Sequence, residues 1–107
     1  MLIDKPWGSE EVLEMNEKYM VKRLTMRNGQ RCSLQYHNKK QETIYVLCGK
    51  LKIEIGMTDS VFEPGESITI FTKTVHRMSA VEDSVYLEMS TPEMSDVVRL
   101  EDDYQRV

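Results

Sequence analysis

Gln35-Tyr36-His37-Asn38-Lys39-Lys40-Gln41-Glu42 is the stretch on which the reading of this chain turns. Gln35 and His37 stand two apart, so in an extended strand both side chains leave the same face. Glu42 closes the polar run, and the apolar segment 43–47 begins at once. The second of the two histidines, His76, follows another apolar segment, 67–71, after a short break. If these segments are strands of one barrel, Gln35, His37, Glu42 and His76 converge inside it. An amide oxygen, two imidazoles and a carboxylate suit one divalent cation of intermediate hardness: Zn, Co, Mn, Ni or Fe. The competing reading is a polar barrel mouth that holds no metal.

The rest of the chain has the punctuation of an all-β domain. Segments 19–25, 32–36, 43–47, 50–55, 67–71 and 85–90 are short and rich in β-branched or aromatic residues. Segment 50–55 alternates apolar and charged residues with period two. Asn28-Gly29, Cys48-Gly49 and Glu63-Pro64-Gly65-Glu66 supply the turns. Ser95 reads as the cap of a short helix near the C-terminal end. Trp7 reads as a packing residue, and Cys32 and Cys48 as reduced, buried thiols. Met57, Met78, Met89 and Met94 read as fillers of core or interface space.

At 107 residues the chain is read as one domain, 1–107. A formal charge of −4 argues against general nucleic-acid binding, which needs clustered cations, but leaves room for one small phosphorylated ligand. No apolar run reaches the roughly 20 residues of a membrane span, and the first residues lack a signal-peptide core. The expectation is a cytoplasmic protein with no nucleic-acid or membrane partner. The two cysteines are too far apart for a CxxC pair and too few for a zinc ribbon.

Glycine to glycine, the run from Gly29 through Gln35, His37 and Glu42 to Gly49, then Gly65 to His76, resembles the two motifs of the cupin superfamily. Gln35, in Ser33-Leu34-Gln35-Tyr36-His37, stands where the usual cupin has its first histidine. That replacement looks like type II phosphomannose isomerase, the C-terminal cupin domain of bifunctional mannose-6-phosphate isomerase/mannose-1-phosphate guanylyltransferase. Lys5-Pro6-Trp7-Gly8-Ser9 and the segment 98–106 resemble the two ends of that domain. The chain departs from the pattern at Phe71 and Lys73, where the family has Pro and Gly, at Ala80 for Asn, at Ile44 for an aromatic and at Lys40 for Arg. A lysine keeps the charge but loses the planar fork that grips phosphate.

The resemblance implies an all-β, single-domain cupin: a double-stranded β-helix, or jelly-roll-like barrel. It implies a stand-alone, metal-dependent isomerase that interconverts mannose 6-phosphate and fructose 6-phosphate, with Gln35, His37, Glu42 and His76 as metal ligands. Such chemistry needs a cation to polarise the carbonyl, a group to move a proton between adjacent carbons and cations to hold phosphate. Lys40 and Glu88 are the catalytic candidates. Glu88 shares a strand face with Tyr86 and Ser90, and is a proton acceptor if that face points inward. Arg99, Arg106 and Arg77 are the substrate-binding candidates, since Arg suits phosphate geometry. Asp102-Asp103 reads as a surface acidic turn rather than a metal pair. Met1-Leu2-Ile3 is expected to pair with a neighbour's sheet edge in a homodimer. From other classes come a non-catalytic metal-containing cupin that binds a sugar or sugar nucleotide, and a metal-dependent oxygenase on the same barrel.

Overall fold

The computed structural model describes residues 1–107. Eleven strands follow one another: β1 (Leu2–Lys5), β2 (Gly8–Met15), β3 (Met20–Met26), β4 (Leu34–Tyr36), β5 (Glu42–Cys48), β6 (Leu51–Ile55), β7 (Thr58–Phe62), β8 (Ser67–Ile70), β9 (His76–Ala80), β10 (Ser84–Ser90) and β11 (Val98–Glu101). They form two antiparallel sheets, ordered β1-β2-β3-β10-β5-β8 and β11-β4-β9-β6-β7. No helix of the chain is long and apolar enough to cross a membrane.

Alternation decides which residues meet between the sheets. In β3, Met20, Lys22, Leu24 and Met26 are buried, while the residues between them are more exposed. In β10 the buried set is Ser84, Tyr86, Glu88 and Ser90, and in β5 it includes Glu42, Ile44 and Val46. Their lining changes along the strands. Towards Met26 and Val46 it is apolar, part of a core with Trp7, Leu51, Ile53, Ile70 and Met78. Towards Lys22, Glu88 and Glu42 it is charged. A fully buried aliphatic side chain contributes about 1.5–3 kcal/mol, so the apolar end holds the fold and leaves the other end free for polar work.

The turns are those their residues dictate. Gly49 has φ +85°, and a Cβ there would lie 2.3 Å from the Asp83 carbonyl oxygen, so no other residue fits. Glu63-Pro64-Gly65-Glu66 closes on itself, the Glu66 side chain accepting from the Glu63 amide at 2.7 Å.

Several expectations are corrected. Ser95 begins no helix; it lies in a turn, and the segment beyond it becomes β11 because its backbone finds β4, with Val98 opposite Tyr36 and Arg99 opposite Gln35. Leu2 and Ile3 pair within the chain, with Glu11 and Glu10 in β2, and the outer side of β1 stays open as the rim of its sheet, where the expected pairing with a neighbour would form. Cys48, at the end of β5, is exposed; only Cys32 is buried. Met57, in the turn between β6 and β7, is fully exposed, Met94 is partly covered at 39% exposure, and Met78 is core.

Candidate metal centre

His37 lies one residue beyond β4, Glu42 opens β5 and His76 opens β9. Pairing of β4 with β9 sets Gln35 directly opposite His76, so both motifs reach the same end of the barrel. Asp96 fixes the first loop. Its carboxylate accepts from the amides of Asn38, Lys39 and Lys40 at 3.0, 2.6 and 2.9 Å, and its carbonyl oxygen accepts from Nδ1 of His37. Those amides hold the Asp96 carboxyl below its usual range. The second loop is tied to the first by the Lys73 amide, which donates to the His37 carbonyl. Lys73 adopts φ +61°, the left-handed conformation for which the family's glycine is suited.

Three donor atoms, one each from His37, Glu42 and His76, lie within 4.8 Å of one another, and all three residues are buried. Nδ1 of His76 donates to the Thr74 carbonyl at 2.8 Å, just as Nδ1 of His37 is engaged by Asp96. Both Nε2 atoms therefore point inward, at 3.0 Å (His76) and 3.5 Å (His37) from Oε1 of Glu42. These nitrogens and both Glu42 oxygens are buried with no hydrogen-bond partner. Backbone carbonyls on the outer nitrogens are how metal-binding imidazoles are oriented. Burial opposes the charge on Glu42, but the two imidazoles and Lys40 outweigh it and hold its carboxyl well below the ordinary range. Burial likewise opposes charge on His37, and Glu42 outweighs it, raising that imidazole above its ordinary value. Two kinds of guest thus satisfy the inward atoms: protons on Nε2, or one divalent cation. The donor set fits the cation.

Gln35 borders this cluster, with its Oε1 accepting from the Ser33 hydroxyl at 2.6 Å. It also lines a cavity of about 270 Å³ between the sheets. Lys40, Glu88, Arg99 and Arg106 line the same cavity. Lys40 lies 2.8 Å from Glu88 and 3.5 Å from Glu42, and so joins the metal cluster to the cavity. Glu88 points inward, opposite Lys22 in the β3 register. Burial and the charge of Glu42 push the Glu88 carboxyl up, against the pull of Lys40 and Lys22. Burial pulls the Lys40 ammonium down, yet Glu88 and Glu42 raise it, so it stays charged. Arg99 has a buried Nε with no partner, whereas Arg106 is held by two bonds to Asp102, at 2.7 and 3.0 Å.

Arg77, expected near a ligand, is elsewhere. It is buried and donates to the carbonyls of Cys32 and Glu101, pinning β11 and the segment before β4 to β9. The Asp103 carboxylate is exposed and accepts from Arg31, as a surface acidic turn requires, but the Asp102 side chain is covered and accepts from Arg106, so the surface reading fails for Asp102. Sequence reasoning missed Asp96, Glu10 and Lys22. Glu10 and Lys22 are buried in the cavity wall, but in the sequence each adjoins another charge of the same sign, Glu11 and Arg23. In the strand expected over 19–25, alternation lets only one of Lys22 and Arg23 point inward, which is a signal for Lys22; Glu10 lies in a segment with no strand signal of its own.

The family model for the mannose-6-phosphate isomerase C-terminal domain matches residues 2–107. The chain belongs to this family. Among curated relatives, the mannose-1-phosphate guanylyltransferase ManC of Salmonella typhimurium is 31% identical over 113 aligned residues, which cover 96% of this chain and 22% of that protein. The alginate biosynthesis protein AlgA of Pseudomonas aeruginosa is 30% identical, with 95% of this chain and 22% of AlgA covered. The chain thus spans about a fifth of the length of these relatives. KdgF from a Halomonas species superposes with a TM-score of 0.83 at 18% identity, covering 89% of this chain and 88% of its own. An RmlC-like cupin from Shewanella frigidimarina gives 0.80 at 14%, covering 89% and 86%. The isomerase C-terminal domain is therefore a cupin here, the barrel that the Gln35–Glu42 stretch and His76 implied.

Proposed function

We propose that this cupin domain is a metal-dependent sugar-phosphate isomerase acting on mannose 6-phosphate or a close relative, with His37, Glu42 and His76 as metal ligands and Gln35 beside them. The observation that carries the reading is the cavity: one space lined by Glu88, Lys40 and Arg99 opens beside the buried donor cluster. When bound, a divalent cation draws electron density from the substrate carbonyl and eases removal of the neighbouring proton. Glu88 takes a proton from carbon 2 of the open-chain aldose and returns it to carbon 1, while the hydroxyl proton passes from oxygen 2 to oxygen 1; nothing is oxidised or reduced overall. Its raised carboxyl pKa brings it nearer to neutrality, where a general base works best. Lys40, held as an ammonium, donates to a substrate oxygen. Arg99 offers the phosphate a guanidinium with an unused donor, and Arg106 a second one steadied by Asp102. A second copy of this chain at the free β1 edge is the macromolecular partner we propose.

The test is turnover of mannose 6-phosphate by the metal-loaded protein, read by formation of fructose 6-phosphate. Glu88→Gln should lower kcat by about 10²- to 10⁴-fold and leave metal content unchanged. Arg99→Ala should cost roughly ten- to a hundredfold in kcat/KM. No turnover by the metal-loaded parent overturns the reading. One observation favours a binding module instead: Glu88 is already engaged by Lys40 at 2.8 Å. Tight binding of the sugar phosphate without turnover would establish that alternative.

A further inference from the structure

Across the cavity wall from the metal cluster, the inner faces of β2, β3 and β10 carry three polar groups that the isomerase chemistry above does not use. Glu10, Lys22 and Tyr86 all line the cavity and all are buried. The strand register makes them neighbours: Leu24 is opposite both Glu10 and Tyr86, and Lys22 is the next inward residue of the same strand. Lys22 has carboxylate oxygens at 3.4 Å (Glu10) and 4.0 Å (Glu88), with only 7% of its side chain exposed. A charge-assisted N–H···O bond closes to about 2.7–2.9 Å, so the ammonium keeps donors to spend. The Tyr86 hydroxyl is buried and has no partner at all. Replacing a buried ion pair by apolar packing is often neutral or stabilising, so the burial of this pair is weak evidence for a role in stability. Spare donors beside acceptor carboxylates match a chain of hydroxyl groups, each of which gives one hydrogen bond and takes another.

We propose that Glu10, Lys22 and Tyr86 form a polyol-binding subsite that reads the hydroxyls of the substrate beyond its reacting carbons. The proposal rests on the sugar-phosphate reading for its occupant, and it assigns these residues to specificity, with no part in the proton transfer.

Calorimetry on the metal-loaded protein compares mannose 6-phosphate with hexyl phosphate, which has the same anion and chain length but no hydroxyls. Tyr86→Phe removes one oxygen and should weaken mannose 6-phosphate binding roughly two- to tenfold. Lys22→Met combined with Glu10→Gln removes the pair together, leaving Glu88 its Lys40, and should weaken it roughly ten- to a hundredfold. Hexyl phosphate should bind parent and variants equally, and metal content should not change. Mannose 6-phosphate binding equal to the parent's in both variants overturns the subsite, as does an equal loss for hexyl phosphate. Should the double variant not fold, Tyr86→Phe decides alone. Turnover is measured alongside. A parent that binds without turnover, with weakened variants, keeps the subsite and removes the isomerase. An active parent whose variants keep its affinity and KM removes the subsite and keeps the isomerase. A parent that binds no mannose 6-phosphate overturns both.

Discussion

His76→Ala separates two quantities that the structure superimposes. The first is packing. His76 is fully buried, and its ring fills space at the start of β9 while its Nδ1 satisfies the Thr74 carbonyl. Truncating a buried ring leaves a cavity and an unpaired acceptor, for about 3 kcal/mol. In a domain of this size that lowers Tm by roughly 10–15 °C, with or without metal. The second quantity is ligation. At a cation concentration 100 times Kd the parent gains about 2.7 kcal/mol. Loss of one of three clustered donors that weakens affinity a hundredfold cuts that gain to about 0.4 kcal/mol at the same concentration. The assay is thermal unfolding of parent and variant in chelator and in excess Zn²⁺, Co²⁺ or Mn²⁺, with metal content measured directly. The parent should show a large metal-induced rise and the variant almost none, on top of a lower baseline in chelator. An equal rise in both proteins would refute the assignment of Nε2 of His76 as a ligand, whatever the baselines do.

Other perturbations reach different parts of the argument. Asp96→Ala leaves the His37 contact to a backbone carbonyl but frees the three amides of the first loop; metal affinity should fall roughly 10- to 100-fold, by titration against a chelator. Lys73→Gly relieves the left-handed residue in the second loop and should raise stability by about 0.5–1 kcal/mol, seen as a higher Tm in chelator; a lower Tm would contradict the strain argument. At pH 8, one thiol per folded chain should react with an alkylating reagent. That thiol is Cys48, because Cys32 is buried and its thiol is pushed up to about 11. The folded protein keeps the Cys32 proton where an unfolded thiol, near 8.5, loses it, so stability should fall as pH rises from about 9 to 11, and Cys32→Ala should flatten that fall.

Local chemistry settled a good deal by itself. Gly49, Gly65 and Pro64 mark turns because their own backbones permit or impose them, and Leu51 to Ile55 alternates because one face of β6 is apolar. His37 and Glu42 stand out as candidate donors by residue type alone, and the structure brings them together with His76, while Oε1 of Gln35 is taken by the Ser33 hydroxyl. Other elements were out of reach of local reading. β2 carries four residues, Gly8, Ser9, Glu10 and Glu11, that disfavour or merely tolerate strands, and it is a strand because β1 and β3 take up its backbone bonds. β11 reads as helical from its own residues for the same reason: its partner, β4, lies far back in the chain. Asp96 reaches its three amides across 56 to 58 positions, and no spacing rule spans that distance.

The cavity shows where the two kinds of information divide. Glu10-Glu11 became strand residues only through the pairing of β2 with β1 and β3, whereas in the strand read over 19–25 alternation puts one of Lys22 and Arg23 inward. Only the register against β10 decided which. It sets Glu88 opposite Lys22 and Tyr86 opposite Leu24, so Glu10 and Lys22 enter the barrel while Glu11 and Arg23 pair on its outer surface. A slip of one residue would have exchanged them, because side chains along a strand alternate faces at every step.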